Sequence, residues 1–162
     1  MPITPFHFGV GAAFHAADPR RVSFLSFCVV NCVIDCETVW NFLRGAYPLH
    51  RFLHTFLGAT LVAVAVPCAF LLARRLASKL EMPNPFGWRD LTVTAVMIGA
   101  FLGTTTHVVL DGIMHPDVRP FWPWNESNPF YSLVSLGTLH LACLVAAALG
   151  VGLILWRERS DP

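Results

Sequence analysis

The 162-residue chain has few charged side chains. It carries 11 Lys and Arg and 10 Asp and Glu residues, which make up 13% of the sequence, whereas charged residues form roughly 25% of an average soluble domain. The net charge of +1 provides no basic surface for nucleic acid, so no nucleic-acid partner is expected. Five cysteines at these spacings do not indicate a disulfide framework. Because 55% of the residues are hydrophobic, a soluble monomer is also excluded.

Five apolar segments take up most of the chain. Runs of about 20 apolar residues are long enough to cross the hydrocarbon core of a bilayer. We therefore predict an all-α, polytopic membrane bundle of about five helices, which forms a single integral membrane domain over residues 1–162. The first helix is short, so a tilted span, a half-helix and an interfacial segment all stay open for it. The predicted helices cover residues 2–18, 21–43, 50–77, 89–115 and 131–156.

Lys and Arg residues near the helix ends predict the orientation, because cytoplasmic loops are enriched in them. In a five-span topology, one side of the membrane carries eight such residues and the other side carries three. We therefore expect a protein of the plasma (inner) membrane of a prokaryote, with its N-terminus outside and its C-terminus in the cytoplasm. The eight are Arg20, Arg21, Arg74, Arg75, Lys79, Arg89, Arg157 and Arg159, and the three are Arg44, Arg51 and Arg119.

The fourth predicted helix contains three regularly spaced ionisable residues, His107, Asp111 and His115. The spacing of four places all three side chains on one helical face. Ionisable groups are rare and costly within hydrocarbon, so packing alone does not explain them. We predict a metal-binding or catalytic role for this face, with a hydrogen-bonded structural network as the alternative.

The start of the third predicted helix repeats the same spacing with His50 and His54. Two imidazoles one helical turn apart can chelate one metal ion from one face. Histidines at a membrane interface are the simpler alternative, but the ligands on the fourth helix favour a metal site.

The second predicted helix carries two carboxylates, Asp35 and Glu37, within an apolar span. A carboxylate at the bilayer centre opposes membrane insertion by roughly 2.5 to 3.5 kcal/mol, so a compensating partner is expected. Residues two apart on a regular helix point in nearly opposite directions. We therefore predict Asp35 as the metal ligand, and Glu37 as a general base, a partner of a ligand or a residue at the lipid interface.

Depth along the predicted helices places the candidate ligands in one leaflet, with His7 near the outer end of the first helix. The charges of the carboxylates and a bridging hydroxide are balanced better by two divalent cations than by one. Two metal ions about 3.5 to 4 Å apart are the usual arrangement for phosphoester hydrolysis. Imidazole with carboxylate suits Zn²⁺ best, with Mn²⁺ or Fe²⁺ possible, so we predict one or two zinc ions. The candidate ligands are His7, Asp35, His50, His54, His107, Asp111 and His115.

Four short motifs together resemble the pattern of a known family. They are Thr4-Pro5-Phe6-His7, Asp35-Cys36-Glu37, His50-Arg51 followed by His54-Thr55, and Thr106-His107-Val108-Val109-Leu110-Asp111 followed by a Trp-Pro segment. By these motifs, the chain from Thr4 to Trp124 resembles the YdjM-like predicted membrane-bound metal-dependent hydrolases of bacteria and archaea. The resemblance implies a metal-binding set of His7, Asp35, His50, His54, His107 and Asp111. The order of the ligands is also similar to that of zinc-dependent phospholipase C and single-strand nuclease enzymes, which suggests a phosphoester substrate.

Together these features predict a membrane-embedded metal-dependent hydrolase. The expected reaction is attack by a metal-activated water on a phosphoester or ester of a lipid or lipid-linked substrate. Asp35 or Glu37 would act as the general base or orient the water, and Arg51 or Arg119 would hold an anionic head group. The alternative is a metal-ion transporter or metal-sensing membrane protein, although the inner halves of the third and fifth helices are nearly all apolar. A haem-binding bundle would not need the buried carboxylates.

Overall fold

The computed structural model describes residues 6–160, and all regular secondary structure in this range is helical. It consists of five α-helices and two short 3-10 helices, which confirms the predicted all-α bundle with a short first helix. The α-helices are α1 (Phe6–Ala17), α2 (Phe24–Leu43), α3 (Phe56–Lys79), α4 (Val93–Met114) and α5 (Leu136–Ser160), and the 3-10 helices are Phe52–His54 and Pro85–Asp90.

Four of these helices are long and apolar enough to cross a membrane, namely α2, α3, α4 and α5 as far as Arg157. The remaining helix, α1, has 12 residues. At a rise of 1.5 Å per residue it is about 18 Å long, whereas the hydrocarbon core of a bilayer is about 30 Å thick. Of the alternatives left open for the first helix, a complete span therefore does not fit the described part of the chain. Positions 2–5 of the first predicted helix lie outside the described residues.

Hydroxyl side chains set where the four long helices begin. Ser23, Thr55, Thr92 and Ser135 each accept a hydrogen bond from a backbone amide three residues later, at 3.0 to 3.1 Å. These caps satisfy amides that have no partner within the helix. They place the starts of α2, α3, α4 and α5 later than the predicted positions 21, 50, 89 and 131, which are therefore corrected.

Close packing of α2 against α4 forms the centre of the bundle. The Ser23 amide donates to the Ala95 carbonyl at 3.0 Å, and farther along both helices the Asn31 amide oxygen meets the His107 ring at 2.8 Å. Contacts advance in the same direction along both helices, so α2 and α4 are parallel. Asp35 therefore lies at the same level as Asp111, one turn beyond His107.

Helices α3 and α5 run in the opposite direction to α2 and α4. The Phe56 amide at the start of α3 bonds to the Pro120 carbonyl beyond the end of α4, whereas Arg74 near the end of α3 reaches the Leu91 carbonyl before α4. Helix α5 packs mainly on α1. The Arg157 guanidinium near the end of α5 bonds to the Ala16 carbonyl near the end of α1, so these two helices are parallel.

This arrangement sorts the predicted loop charges by face. The first residues of α2 and α4 and the last residues of α1, α3 and α5 meet at one face of the bundle. That face carries the eight predicted Lys and Arg residues, and we call it the basic face. The last residues of α2 and α4 and the first residues of α3 and α5 form the opposite face, which lies nearer the candidate ligands.

Candidate metal centre

Four potential metal ligands from three parts of the chain meet in the interior of the bundle. Asp35 comes from α2, His54 from the 3-10 helix before α3, and His107 and Asp111 from α4. One ligand atom of each residue lies within 4.8 Å of those of the other three. The exposed fractions of the four residues are between 0 and 6%. A buried group of two imidazoles and two carboxylates is the kind of cluster that requires a cation or a complete hydrogen-bond network.

The spacing of these atoms matches a tetrahedral metal site. The Nε2 atom of His107 lies 3.3 Å from Oδ2 of Asp111, 3.4 Å from Nε2 of His54 and 3.5 Å from Oδ1 of Asp35. The Nε2 atom of His54 lies 3.4 Å from Oδ2 of Asp111 and 4.0 Å from Oδ1 of Asp35. Four ligands at zinc bond lengths in a tetrahedron are separated by roughly 3.3 to 3.4 Å. The residues present therefore fit a zinc-like ion, with Asp35 slightly too far from His54.

A second group of potential ligands shares Asp111 with the first. It consists of His50, Asp111 and His115, whose ligand atoms also lie within 4.8 Å of one another. The rings of His50 and His115 are stacked with their centroids 4.3 Å apart. Because a carboxylate has two oxygens, Asp111 can bridge two cations, one in each group. The two groups together therefore offer potential ligands for more than one ion.

His7 also reaches this region. Its Nε2 atom lies 3.2 Å from Oδ1 of Asp111, and its ring stacks on that of His107 with the centroids 4.5 Å apart. The residue is buried, with 2% of its surface exposed. Since α1 begins at Phe6, the start of this short helix lies at the level of the ligands, and the rest of α1 extends toward the basic face.

Hydrogen bonds orient the histidine rings from behind. The Nδ1 atoms of His54, His107 and His50 face Oε2 of Glu37 at 3.2 Å, Oδ1 of Asn31 at 2.8 Å and Oδ1 of Asp117 at 2.9 Å, respectively. An imidazole whose Nδ1 donates to such an oxygen presents an unprotonated Nε2 to a metal. This pattern is typical of metal-binding histidines.

Glu37 also shapes the backbone that carries His54. Its carboxylate accepts hydrogen bonds from the amides of Arg51 and Leu53 at 3.0 to 3.1 Å, in addition to the His54 ring. Asp35 and Glu37 point to different sides of α2, yet both lie near the His54 ring. Glu37 faces its Nδ1 atom, and Asp35 faces its Nε2 atom. Glu37 therefore holds the ring in place, while Asp35 faces the ligand cluster.

The histidines outside the spans differ in charge. Burial of the His54 ring opposes its protonation, but the carboxylates of Asp111 and Glu37 outweigh burial and raise its pKa to about 9. Burial lowers the pKa of His50, and so does neighbouring His54. Burial and His50 likewise lower the pKa of His115. At neutral pH the metal-free protein therefore holds a proton on His54, which a cation at that nitrogen must displace.

Two of the predicted helical arrangements require correction. His50 and His54 do not share the face of a regular helix, because α3 begins at Phe56 and His54 ends a 3-10 helix. Their rings are nevertheless close, with the centroids 4.7 Å apart. His115 lies just after α4 rather than within it, and its backbone is extended. His107 and Asp111 do share a face of α4, because that spacing lies within a regular helix.

Asn31 and Asp117 were not among the sequence-predicted site residues, although each bonds to a candidate ligand. Asp117 also accepts hydrogen bonds from the amides of Leu49 and His50 and thereby joins the loop after α4 to the segment before α3. Its place two residues after His115 is a signal in the sequence, since metal-binding histidines commonly have carboxylate partners. Asn31 lies one turn before Asp35, but no local pattern connects it to His107.

A cavity of about 290 Å³ opens beside the second group of ligands. His50 lines it, as do the two arginines for which an anion-binding role is predicted, Arg51 and Arg119. The Arg51 side chain is held by the Pro48 and Tyr47 carbonyls at 3.0 and 3.3 Å, and Arg119 pairs with Glu126 at 2.9 Å. The other lining residues are Pro48, Phe52, Thr55 and Trp122.

Comparison with known families gives one match. A family model described as YdjM inner membrane protein matches residues 7–161, which is nearly the whole chain. The chain belongs to the YdjM inner membrane protein family. This family is described as predicted membrane-bound metal-dependent hydrolases. No curated protein and no solved structure matches the chain. The chain is therefore a YdjM-family inner membrane protein with a buried His and Asp cluster that could hold a metal ion.

Proposed function

We propose that this YdjM-family protein is a membrane-embedded metal-dependent hydrolase that acts on a phosphoester or ester of a lipid or lipid-linked substrate. The observation that carries the proposal is the buried set of Asp35, His54, His107 and Asp111, whose spacing matches a tetrahedral metal site. The second ligand group shares Asp111 with this set, and its His50 lines a cavity together with Arg51 and Arg119. A purely structural cluster would not need a cavity with two arginines beside one of its ligand groups.

The ligand groups divide between two ions in this proposal. Asp35, His54, His107 and Asp111 would hold the first ion, and His50, Asp111 and His115 the second. His7 contacts Asp111 Oδ1 and would complete either position. Imidazole and carboxylate ligands favour Zn²⁺, with Mn²⁺ or Fe²⁺ as alternatives. Such ions, when bound, polarise an ester or phosphoryl oxygen and make water acidic enough to react near neutral pH.

The acidic residues on α2 have different roles in this mechanism. Both oxygens of Glu37 already accept hydrogen bonds from the Arg51–His54 segment, so Glu37 is a positioning residue rather than a general base. Asp35 has 6% of its surface exposed and faces the cluster, so it would act as a ligand and orient the attacking water.

The two arginines would bind the anionic part of the substrate. Arg51 and Arg119 line the cavity together with His50, so an anion held there adjoins the second ligand group. Guanidinium groups bind phosphate oxygens in a bidentate manner, which favours a phosphoester over a neutral ester. The depth of the cluster favours a substrate that resides in the membrane. Asp35 lies about 12 Å along the candidate span α2 from the end of that helix at Leu43.

Transport of a metal ion receives less support from the packing. A transporter needs a polar path to the other side of the membrane. Val30, Val62 and Ala100 are buried on the basic-face side of the ligands and belong to the apolar core of the described residues. An apolar core between the cluster and the basic face favours a closed interior over a polar path.

The first experiment is elemental analysis of protein purified in mild detergent without chelator. We expect about one to two equivalents of zinc or a similar metal in the wild type, and loss of both metal and turnover in His107→Ala and Asp111→Ala. Turnover would be measured on phospholipids and lipid-linked phosphates. Matched controls are His140→Ala and Asp18→Asn, since His140 stacks on Phe6 and Asp18 pairs with Arg21, outside the cluster.

The isosteric Asp111→Asn variant separates a lost ligand from a lost fold, and circular dichroism of each variant verifies its helix content. Turnover that persists in a metal-free variant would contradict the mechanism. If the folded wild type contained no metal, the cluster would be a hydrogen-bond network and the hydrolase proposal would be contradicted. Metal that accumulates inside proteoliposomes, without hydrolysis, would favour the transporter.

A further inference from the structure

The basic face contains a large cavity that the proposed reaction does not use. It measures about 720 Å³ and lies between the end of α3 and the 3-10 helix before α4. Four cations and one carboxylate line it, together with uncharged residues. The cations are Arg74, Arg75, Lys79 and Arg89, and the carboxylate is Asp90. We call this hollow the basic cavity. Its excess of positive charge favours an anionic ligand.

An apolar groove adjoins the basic cavity on the membrane side. The groove measures about 370 Å³ and lies against α2, α3 and the start of α4. Phe70, Trp88 and Leu91 lie at its end near the basic cavity, and Val33 and Val66 extend it toward the middle of the spans. Its lining side chains are almost all apolar, so it suits a hydrocarbon chain better than a soluble ligand.

Arg74 joins the two hollows. Its guanidinium lies over the Phe70 ring, 5.3 Å from the centroid, and donates to the Leu91 carbonyl at 3.4 Å. Arg74 lines the basic cavity, whereas Phe70 and Leu91 line the groove. The Trp88 ring lies steeply inclined to Phe70 at the same junction, with the centroids 6.1 Å apart. One ligand can therefore place a charged group in the cavity and an apolar tail in the groove.

We propose that the basic cavity and the apolar groove together bind one anionic phospholipid. The phosphate lies among Arg74, Arg75, Lys79 and Arg89, and one acyl chain follows the groove along α2 and α3. The depth agrees with this occupant, because Lys79 ends a candidate span and Val93 starts the next. Lipid phosphates lie at that level of a bilayer, and basic pockets between spanning helices bind anionic lipid head groups.

This lipid site is separate from the proposed hydrolytic site. The metal ligands lie toward the opposite face, and the buried residues Val30 and Ala100 lie on the basic-face side of them. The lipid bound here is a resident of the inner membrane rather than the substrate. The test of this lipid site is therefore independent of the hydrolase proposal.

Fluorescence quenching by brominated lipids tests the site. The full chain is reconstituted in phosphatidylcholine bilayers that contain either brominated phosphatidylglycerol or brominated phosphatidylcholine. The Trp88 signal is the difference between the wild type and the Trp88→Phe variant. We expect brominated phosphatidylglycerol to quench Trp88 at a several-fold lower mole fraction than brominated phosphatidylcholine. We expect Arg74→Gln to weaken this preference about fivefold or more, consistent with the attraction per charge at such surfaces.

The matched control removes charge from the same face outside the cavity. Arg20 and Arg21 lie in the exposed turn between α1 and α2. Arg20→Gln and Arg21→Gln should leave the lipid preference measured at Trp88 unchanged. An equal loss in the control variants would overturn the site and indicate a general surface potential. Absence of quenching by either lipid would show that no lipid enters the groove. Displacement of the brominated lipid by soluble glycerol phosphate would assign the basic cavity to a soluble anion instead.

Discussion

Glu37 contacts the candidate metal centre through His54 and through the backbone that carries it. The carboxylate accepts hydrogen bonds from two backbone amides of the Arg51–His54 segment and from Nδ1 of His54. These bonds fix both the position of His54 and the nitrogen that it presents to the cluster. The residue therefore acts on the proposed ions through His54.

We predict that Glu37→Gln weakens zinc binding about 10- to 100-fold, as is usual for partners of metal-binding histidines. The amide cannot supply two anionic acceptors to the amides of Arg51 and Leu53, so His54 becomes less well held. Competition with a chromophoric zinc chelator measures the affinity. Glu81→Gln, in the exposed turn after α3, is the matched control. An unchanged affinity in Glu37→Gln would contradict the positioning role.

The pKa of His54 predicts a proton release when metal binds. The metal-free ring is protonated below pH 9, because its pKa is raised to about 9 by Asp111 and Glu37. A metal ion needs the neutral ring, so apparent zinc affinity should fall about tenfold per pH unit as the pH drops below 9, from this group alone. Above pH 9 the ring is already neutral, so His54 no longer makes the apparent zinc affinity depend on pH.

Calorimetry in buffers with different ionisation enthalpies counts the released protons. We expect His54 to release about one proton per protein molecule at neutral pH, when the ion that it binds is taken up. The pKa values of His50 and His115 are lowered, so these rings are already neutral and add none. Binding without proton release at neutral pH would contradict a protonated His54 ring that binds the ion.

At the scale of helices, small residues bring α2 and α4 together. A Cβ atom on Gly103 would lie 2.5 Å from Cγ2 of Val30 and 2.9 Å from the Phe27 carbonyl oxygen. Both of these are on α2, one turn or less before Asn31, which holds His107. Close approach of the two helices is therefore a condition for the ligand geometry, as small residues allow in membrane bundles.

We expect Gly103→Ala to destabilise the folded protein by about 1 to 3 kcal/mol, since overpacking forces the two helices apart. Zinc affinity should fall as well, because Asn31 moves away from His107. Unfolding in detergent mixtures measures the first effect, and chelator competition measures the second. Gly152→Ala is the control, since a Cβ atom there meets no neighbouring atom within 4 Å. Equal behaviour of the two variants would refute the packing argument.

The Arg51–Thr55 segment shows the limit of periodic reasoning. A spacing of four predicted a shared helical face for His50 and His54, but Thr55 caps α3 and the Phe56 amide bonds to the Pro120 carbonyl. That bond joins residues far apart in the sequence, so no local pattern reveals it. His107 and Asp111 were placed correctly because their spacing falls within a regular helix.

At the scale of the whole molecule, the bundle has a basic face and an opposite face nearer the ligands. The positive-inside rule predicts that the basic face is cytoplasmic. The structure brings all eight predicted residues to that face, although α1 is too short to cross the membrane. The start of α1 at ligand depth leaves the orientation of α2 to α5 unchanged.

Reporter fusions test this orientation. We expect green fluorescent protein at the carboxyl end to fluoresce and alkaline phosphatase there to be inactive, because the first folds in the cytoplasm and the second needs an oxidising compartment. Phosphatase inserted at Gly45, in the turn after α2, should be active. The reverse pattern would place the candidate metal centre nearer the cytoplasmic leaflet.

Local patterns in the sequence determined the helical membrane architecture, because length and apolar composition decide which segments can span a bilayer. They also pointed to the candidate metal ligands, since ionisable groups are rare in apolar spans. Only the tertiary structure decided that Asp111 belongs to two ligand groups and that Glu37 and Asp117 support the histidines. It also decided that α1, described from Phe6, begins at the depth of the ligands. Those features depend on contacts between distant segments, and such contacts arise only when the helices pack.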